Sequence, residues 1–444
     1  MFLQDTIVAV ATPPGRGGLG IVRLSGPQAL AIAQALLPDR PFSPRHALWA
    51  QFRDRDGALL DQVVAVFFPA PHSATSEDVV EITAHGAPVL LDALLRAALA
   101  QGARLADPGE FTRRAFLHGR LDLTQAEAVG DLINAHTLFQ ARTAARQLQG
   151  AVAQQLRPLH QALVQLIARL EAAIDFADDD VALPDDAAIA SEIAALQAPL
   201  ALLLASFQQG RVVREGLAVA LLGRPNVGKS SLFNRLLARP RAIVTPQPGT
   251  TRDLLEASLD WDGIPVRLLD TAGIRTPHGE PERLGIEKSW EAAADADLVL
   301  AVFDASQPLA PDDLALQSRL QALPRALLVW NKSDLPLAAP IPADALAVSA
   351  LTGHGLAQLR AAVRARVLPE PGAEAEPITN ARHAQHLAAA ARHLQLAAAA
   401  LGQVPHEVLL VELYQALRQL DAITGQTTVE DILGVIFSTF CIGK

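Results

Sequence analysis

The chain has 444 residues, half of them apolar, a net charge of −10 and one cysteine, Cys441. That length suits about three domains, a single cysteine excludes an internal disulfide framework and fits a reducing compartment, and the acidic balance excludes a surface generally coated with nucleic acid while leaving room for a local basic patch. No uninterrupted apolar run approaches the roughly 20 residues of a membrane span and the N-terminus lacks the basic region of a signal peptide, so a soluble, cytoplasmic protein without membrane contact is expected.

Residues 1–117 read as a mixed α/β domain. Strand signals run over Thr6 to Ala11, Ile21 to Leu24, Val63 to Phe68 and Val79 to Thr83, alternating with helix-like stretches from Gln28 to Leu37 and Val89 to Ala100. Gly15-Arg16-Gly17-Gly18-Leu19-Gly20 matches a dinucleotide fingerprint in letters only. A strand follows it where that fold needs a helix, which leaves a glycine-rich hairpin or a ligand loop. Residues 118–212 are Ala-, Leu- and Gln-rich with helical periodicity, broken at Asp178-Asp179-Asp180 and Leu183 to Asp186. A solvated inter-helix loop is preferred there over a metal site. The helical texture returns within 369–444, after a linker marked by Pro369, Pro371 and Pro377. One helical domain, interrupted by residues 213–368, is the economical arrangement.

The interrupting segment carries the chemistry. Leu217 to Leu222 is an unbroken apolar strand signal, and Ser231 to Leu237 has helical spacing. Between them runs Gly223-Arg224-Pro225-Asn226-Val227-Gly228-Lys229-Ser230. Glycines let successive N–H groups turn toward one anion, and the following helix adds the positive end of its dipole. Lys229 is placed for the outer phosphates of a nucleotide and Ser230 for a magnesium ion. Next, Thr245-Pro246-Gln247-Pro248-Gly249-Thr250-Thr251 forms a loop in which a threonine can complete the magnesium shell. Asp270-Thr271-Ala272-Gly273 follows a strand, with Asp270 toward magnesium and the Gly273 N–H toward phosphate. Asn331-Lys332-Ser333-Asp334 follows another strand. A carboxylate accepts both the ring N–H and the exocyclic amine of guanine, a pair adenine lacks, so Asp334 points to GTP. Ser349-Ala350-Leu351 can close over the base. Composition agrees: the four lysines are Lys229, Lys288, Lys332 and Lys444 among 37 basic residues, and two of them fall in these motifs, as expected where a compact ammonium is needed.

Two features stand out. Ile274 occupies the place where Ras-like enzymes orient water with a glutamine, leaving Arg275, Glu280, Glu282 and Arg283 as candidates for that task. Asn226 either holds a monovalent cation together with loop carbonyls around Thr245 to Thr250, or fixes the loop by hydrogen bonds.

Both ends of the chain extend the pattern. Asp5 to Ala9, Ala11 to Gly18, Pro108-Gly109-Glu110-Phe111-Thr112 with Arg114-Ala115-Phe116, and the terminal Phe440-Cys441-Ile442-Gly443-Lys444 make the whole chain similar to the MnmE (TrmE) family of tRNA-modification GTPases. The resemblance implies an α/β plus α architecture: an N-terminal tetrahydrofolate-binding and dimerisation domain, a helical domain, and an inserted Ras-like P-loop GTPase domain. It implies a homodimer whose potassium-dependent GTPase domains meet face to face, and a heterotetramer with the FAD protein MnmG. That assembly acts on tRNA, adding an aminomethyl or carboxymethylaminomethyl group at the wobble uridine. The one-carbon unit would come from 5-formyl- or methylene-tetrahydrofolate. Carried onto this sequence, potassium falls on Asn226, Thr245, Gln247 and Thr250, magnesium on Ser230 and Thr251, and the water-activating carboxylate on Glu282. Folate falls on Arg23, Glu81, Arg120 and Lys444. Gln247 replaces a more apolar residue and Arg120 stands where a lysine is expected. Cys441 imitates a prenylation box that Gly443 and Lys444 fit badly. A buried structural cysteine and an activated thiol are the other readings, and the resemblance favours a role in the modification chemistry. The rival function is a regulatory, ribosome-associated GTPase without modification chemistry. A basic RNA-binding appendage would mark it, and the sequence shows none.

Overall fold

The computed structural model describes residues 5–175, 185–237, 256–261, 263–269, 293, 296–321, 325–367 and 377–425. The chain divides into two compact units, one within Met1–Gly130, Arg146–His160 and Leu417–Lys444, the other within Asp131–Ala145 and Gln161–Ala416.

The first unit is built on a six-stranded sheet of β1 (Ile7–Val10), β2 (Gly17–Ser25), β3 (Leu48–Arg53), β4 (Leu59–Phe68), β5 (Val79–Gly86) and β6 (Arg104–Leu105), in the order β3-β4-β5-β2-β1-β6. All neighbours are antiparallel except β1 and β6. β4 alternates: Asp61, Val63, Ala65 and Phe67 are buried while Gln62 and Val64 are exposed, the period-2 pattern of a sheet with one covered face. Helices α1 (Ala29–Leu36) and α2 (Pro88–Ala100) cover that face, with Ile32, Leu91 and Leu94 packed among Val8, Val22, Leu24 and Ile82. The glycine-rich segment is a hairpin: β2 starts at Gly17, pairs antiparallel with β1, and takes the Ala11 N–H on the Ile21 carbonyl.

Helix α3 (Glu110–Leu117) carries the Glu110-to-Phe116 segment. Its Phe111 joins a second small core with Ile7, Ala9 and Ala106. Arg114 is fully buried and donates to Glu110, Glu77, the Asp5 carboxylate and the Asp5 carbonyl, while Arg104 grips Glu110 and Asp5 from the other side. Burial works to raise the Glu110 carboxyl, but hydrogen bonds from Arg104, the Asp107 N–H and Arg114 outweigh it and hold it below the usual range. The segment therefore ties the N-terminal residue Asp5 to the Glu77 loop.

The helices are α4 (Leu123–Ile133), α5 (Leu138–Leu148), α6 (Ala151–Asp175) and α7 (Asp186–Glu215) before the nucleotide segment, then α11 (Ala381–Ala400) and α12 (His406–Thr424) after it. Asp185 caps α7, accepting the Ala188 N–H. By length and composition α7 is apolar enough to cross a membrane, although no uninterrupted apolar run within it nears that length. Alanines and leucines around Pro199 raise its hydropathy. Its Ile189, Ile193, Leu196 and Leu200 are buried, and the helix packs along α11.

The second unit contains the other sheet: β7 (Leu217–Leu222), β8 (Glu256–Trp261), β9 (Ile264–Leu269), β10 (Leu298–Asp304), β11 (Ala326–Asn331) and β12 (Leu346–Ala347), ordered β12-β11-β10-β7-β9-β8. Only β8 runs antiparallel. With α8 (Lys229–Leu237), α9 (Pro311–Gln321) and α10 (Leu356–Val367), this is a doubly wound α/β sheet. Both faces are covered, so β7 buries every residue: Leu217, Val219 and Leu221 enter one core, Ala220 and Leu222 the other.

Candidate nucleotide site

β7, β10 and β11 are parallel neighbours, so their C-terminal ends share the edge at which doubly wound sheets bind ligands. Gly223 to Gly228 leads from β7 to Lys229, the first residue of α8. The loop needs its glycines. At Gly223 (φ 154°) a Cβ would lie 2.4 Å from the Val302 carbonyl, and at Gly228 (φ 95°) 2.2 Å from the Asn331 amide nitrogen. Lys229 Nζ donates to the Gly223 and Arg224 carbonyls at 2.7 and 2.9 Å, which holds the ammonium in the turn of the loop. Ser230 and Ser231 are exposed at the start of α8, where helix N–H groups and the dipole favour an anion.

The second half of the site hangs on one buried amide. Asn331, 1% exposed, donates to the Val227 carbonyl at 2.9 Å and accepts the Ala350 N–H at 3.0 Å. It thereby joins the phosphate loop to both segments read as base contacts. Ser349, fully buried, donates its hydroxyl to Asp334 Oδ1 and accepts the Thr352 N–H, and the Ser333 N–H bonds the Val348 carbonyl. Asp334 is exposed, one carboxylate oxygen oriented by Ser349. Leu351, two residues after Ser349, is 78% exposed.

Two supporting carboxylates were missed by motif reading. Asp304 ends β10, directly opposite Asn331, and takes Lys332 Nζ at 2.6 Å; the same ammonium donates to the Asn226 carbonyl at 2.9 Å. Asp313 in the first turn of α9 pairs with Arg224 of the loop at 2.9 Å. A signal existed for the first, since Asp304 is the one charge in a strand otherwise wholly apolar. Asn226 and Lys332, both non-glycine, hold φ of 65° and 63°.

Thr245, Pro246, Gln247, Pro248, Gly249, Thr250, Thr251, Asp270, Thr271, Ala272, Gly273, Glu282, Cys441 and Lys444 lie outside the described residues. Of the residues assigned to folate, Arg23 and Glu81 are register partners across β2 and β5 and form an ion pair at 2.7 Å. Arg23 also lies over the Phe111 ring, 5.5 Å from its centroid. Phe111 had been read only as part of a family segment. Arg120 is not part of that pairing; it is exposed on the turn after α3, its N–H on the Ala115 carbonyl.

A glycine loop at the end of a parallel strand, with a helix N-terminus behind it and the Asn331-to-Asp334 segment on the same edge, is the arrangement of a P-loop GTPase domain. Two family models match the chain: residues 6–120 match the GTP-binding protein TrmE N-terminus and residues 123–441 the MnmE helical domain. The chain is 53% identical to the tRNA modification GTPase MnmE of Koribacter versatilis, with both chains fully covered. It is 44% identical to that of Methylococcus capsulatus, with 99% of each covered. Among solved structures, the G domain of the T. maritima FeoB iron transporter overlaps 33% of this chain and 94% of its own, at 29% identity and a TM-score of 0.24. The chain belongs to the MnmE family of tRNA modification GTPases.

Proposed function

We propose that this chain is the GTP-hydrolysing component of a system that modifies the wobble uridine of tRNA. It works as a homodimer with the FAD protein MnmG and adds an aminomethyl or carboxymethylaminomethyl group at uridine C5, the carbon coming from a tetrahydrofolate derivative. The observation that supports the GTPase half best is the Asn331 amide, which ties the phosphate loop to the segments carrying Asp334 and Ala350. Family membership supports the tRNA half.

The residues present suit the groups this reading needs. Side chains at Gly223 and Gly228 would collide with the loop's own neighbours, as expected where backbone N–H groups must approach phosphates. Ser230 presents a hydroxyl for magnesium, which would neutralise charge on the phosphates. Asn226, exposed and in left-handed geometry, offers a neutral oxygen suited to potassium, with Thr245, Gln247, Thr250 and Thr251 completing the two cation shells. Glu282 is assigned to orienting the attacking water, since Ile274 cannot. In the first unit, Arg23 over Phe111 and paired with Glu81 offers an apolar face beside a charge pair, a combination suited to a folate ring and its polar edge. Arg120 and Lys444 would add cations for the acidic tail, and Cys441 is kept as a candidate thiol in the modification step.

Two measurements test this. Cells lacking the protein should lose the modified wobble uridine from their tRNA; an unchanged nucleoside profile rejects the tRNA function. Single-turnover GTP cleavage should be much faster in potassium than in matched sodium buffer, and equal rates reject the cation role.

A further inference from the structure

The cradle and the base reader could in principle move independently, because they belong to different loops. The structure joins them twice: through Asn331, and through a chain of charges that starts outside every motif, at Asp304, and runs through Lys332. Asp304 is 5% exposed and every oxygen is used: Oδ1 accepts the Ser306 N–H at 2.9 Å and the Ser306 hydroxyl at 2.6 Å, Oδ2 the Lys332 ammonium at 2.6 Å. Lys332 then donates to the carbonyl of Asn226, inside the phosphate loop. Two residues beyond Lys332 stands Asp334, whose carboxylate is set by Ser349.

We propose that Asp304 is a positioning residue of the GTPase site: held by Ser306, it aims Lys332 at the Asn226 carbonyl and so sets the spacing between the phosphate loop and the guanine-reading Asp334. Its contribution falls on base discrimination rather than on phosphate binding. The loop's own contacts, Lys229 with Gly223 and Arg224, do not involve it. A charge-assisted, buried hydrogen bond is among the stronger ones, and Lys332, one-third exposed, can turn to water once Asp304 is gone.

The inference rests on Asp334 reading guanine, and its test separates the two. Equilibrium affinities of the full-length protein are measured for GTP, for ITP, which lacks the exocyclic amine, and for inorganic tripolyphosphate, which lacks the base. The unaltered protein must prefer GTP to ITP; if it does not, the guanine reading itself fails. Asp304→Asn should weaken GTP by about ten- to a hundredfold, the range expected for a hydrogen bond to a charged group. It should lower the GTP-to-ITP ratio and leave tripolyphosphate unchanged. Because Asp304 acts through Lys332, adding Asp304→Asn to Lys332→Met should cost less than about twofold more, no larger than the scatter between independent sites. An unchanged GTP-to-ITP ratio, equal losses for all three ligands, or additive effects in the double variant overturn the proposal. If Asp304→Asn fails to fold, Ser306→Ala decides: it keeps the charge but loosens its aim, and should lower the same ratio by a smaller factor, an unchanged ratio again overturning the idea.

Discussion

Gly228→Ala concentrates the geometry of the site in one methyl group. At φ 95° the backbone is in the region glycine alone occupies readily, and a Cβ there would lie 2.2 Å from Asn331 Nδ2. The conformational cost is about 1–2 kcal/mol. The Asn331 amide must also withdraw, giving up its 2.9 Å bond to the Val227 carbonyl. A buried acceptor left without its partner costs about 1–3 kcal/mol. The amide cannot withdraw alone, because its oxygen holds the Ala350 N–H. The sum is roughly 2–5 kcal/mol, shared between the stability of the second unit and nucleotide affinity. If all of it fell on affinity, GTP binding would weaken roughly 30-fold to several thousandfold. The assay pairs a titration with a fluorescent GTP analogue and chemical denaturation of the nucleotide-free protein, so that both shares are measured. A variant whose two losses total less than about 1 kcal/mol would refute the claim that Gly228 is fixed by close approach to Asn331.

Further predictions follow from the same geometry. Asp334→Asn should shift preference from guanine toward xanthine nucleotide, because donor and acceptor exchange at that edge; competition binding with the two triphosphates measures it. Arg114→Ala removes the cation shared by buried Glu110 and half-buried Glu77. It should destabilise the first unit by about 3–5 kcal/mol in denaturant unfolding, and a loss below about 1 kcal/mol would show the network to be redundant. Glu110 is held below its ordinary value of 4.5. Its charge therefore contributes stability that is present above about that pH and is lost as the pH falls through the folded value. The stability gap between the unaltered protein and Glu110→Gln should accordingly shrink as the pH falls below about 4.5, and a gap independent of pH would reject the linkage.

The phosphate loop was legible because everything it needs is local: an apolar strand, glycines, Lys229 and a helical run within a few residues. The base segment was legible for the same reason. What held these pieces together was not, because it is tertiary. Asp304 at the end of a strand and Asp313 in the first turn of a helix read as ordinary boundary acids; only the parallel register of β10 and β11 puts Asp304 opposite Asn331 and within reach of Lys332. The Arg23–Glu81 pair spans 58 residues and depends on the antiparallel register of β2 and β5. Family likeness supplied those two names, and the fold supplied the reason they meet. In the first sheet the strands passed over were β3, whose LWAQFR breaks strict alternation of polar and apolar, and β6, only two residues long with both exposed.

The scarcity of lysine acquires a physical reason in this site. Lys229 and Lys332 each bring a compact ammonium against backbone carbonyls of one loop, the first at Gly223 and Arg224, the second at Asn226. A planar guanidinium spreads its donors in a fixed fork and would not converge on these points. Lys332 must also satisfy a carboxylate and a carbonyl at once, from a residue in left-handed geometry, and the residue it grips is left-handed too. Such backbone states cost of order 1–3 kcal/mol each and persist where their surroundings over-determine them. Here the surroundings are Asp304, Ser306 and the Asn331 amide. The strain and its restraints thus lie on the bridge between phosphate loop and base reader, where Lys332 and Asn331 meet the loop carbonyls of Asn226 and Val227.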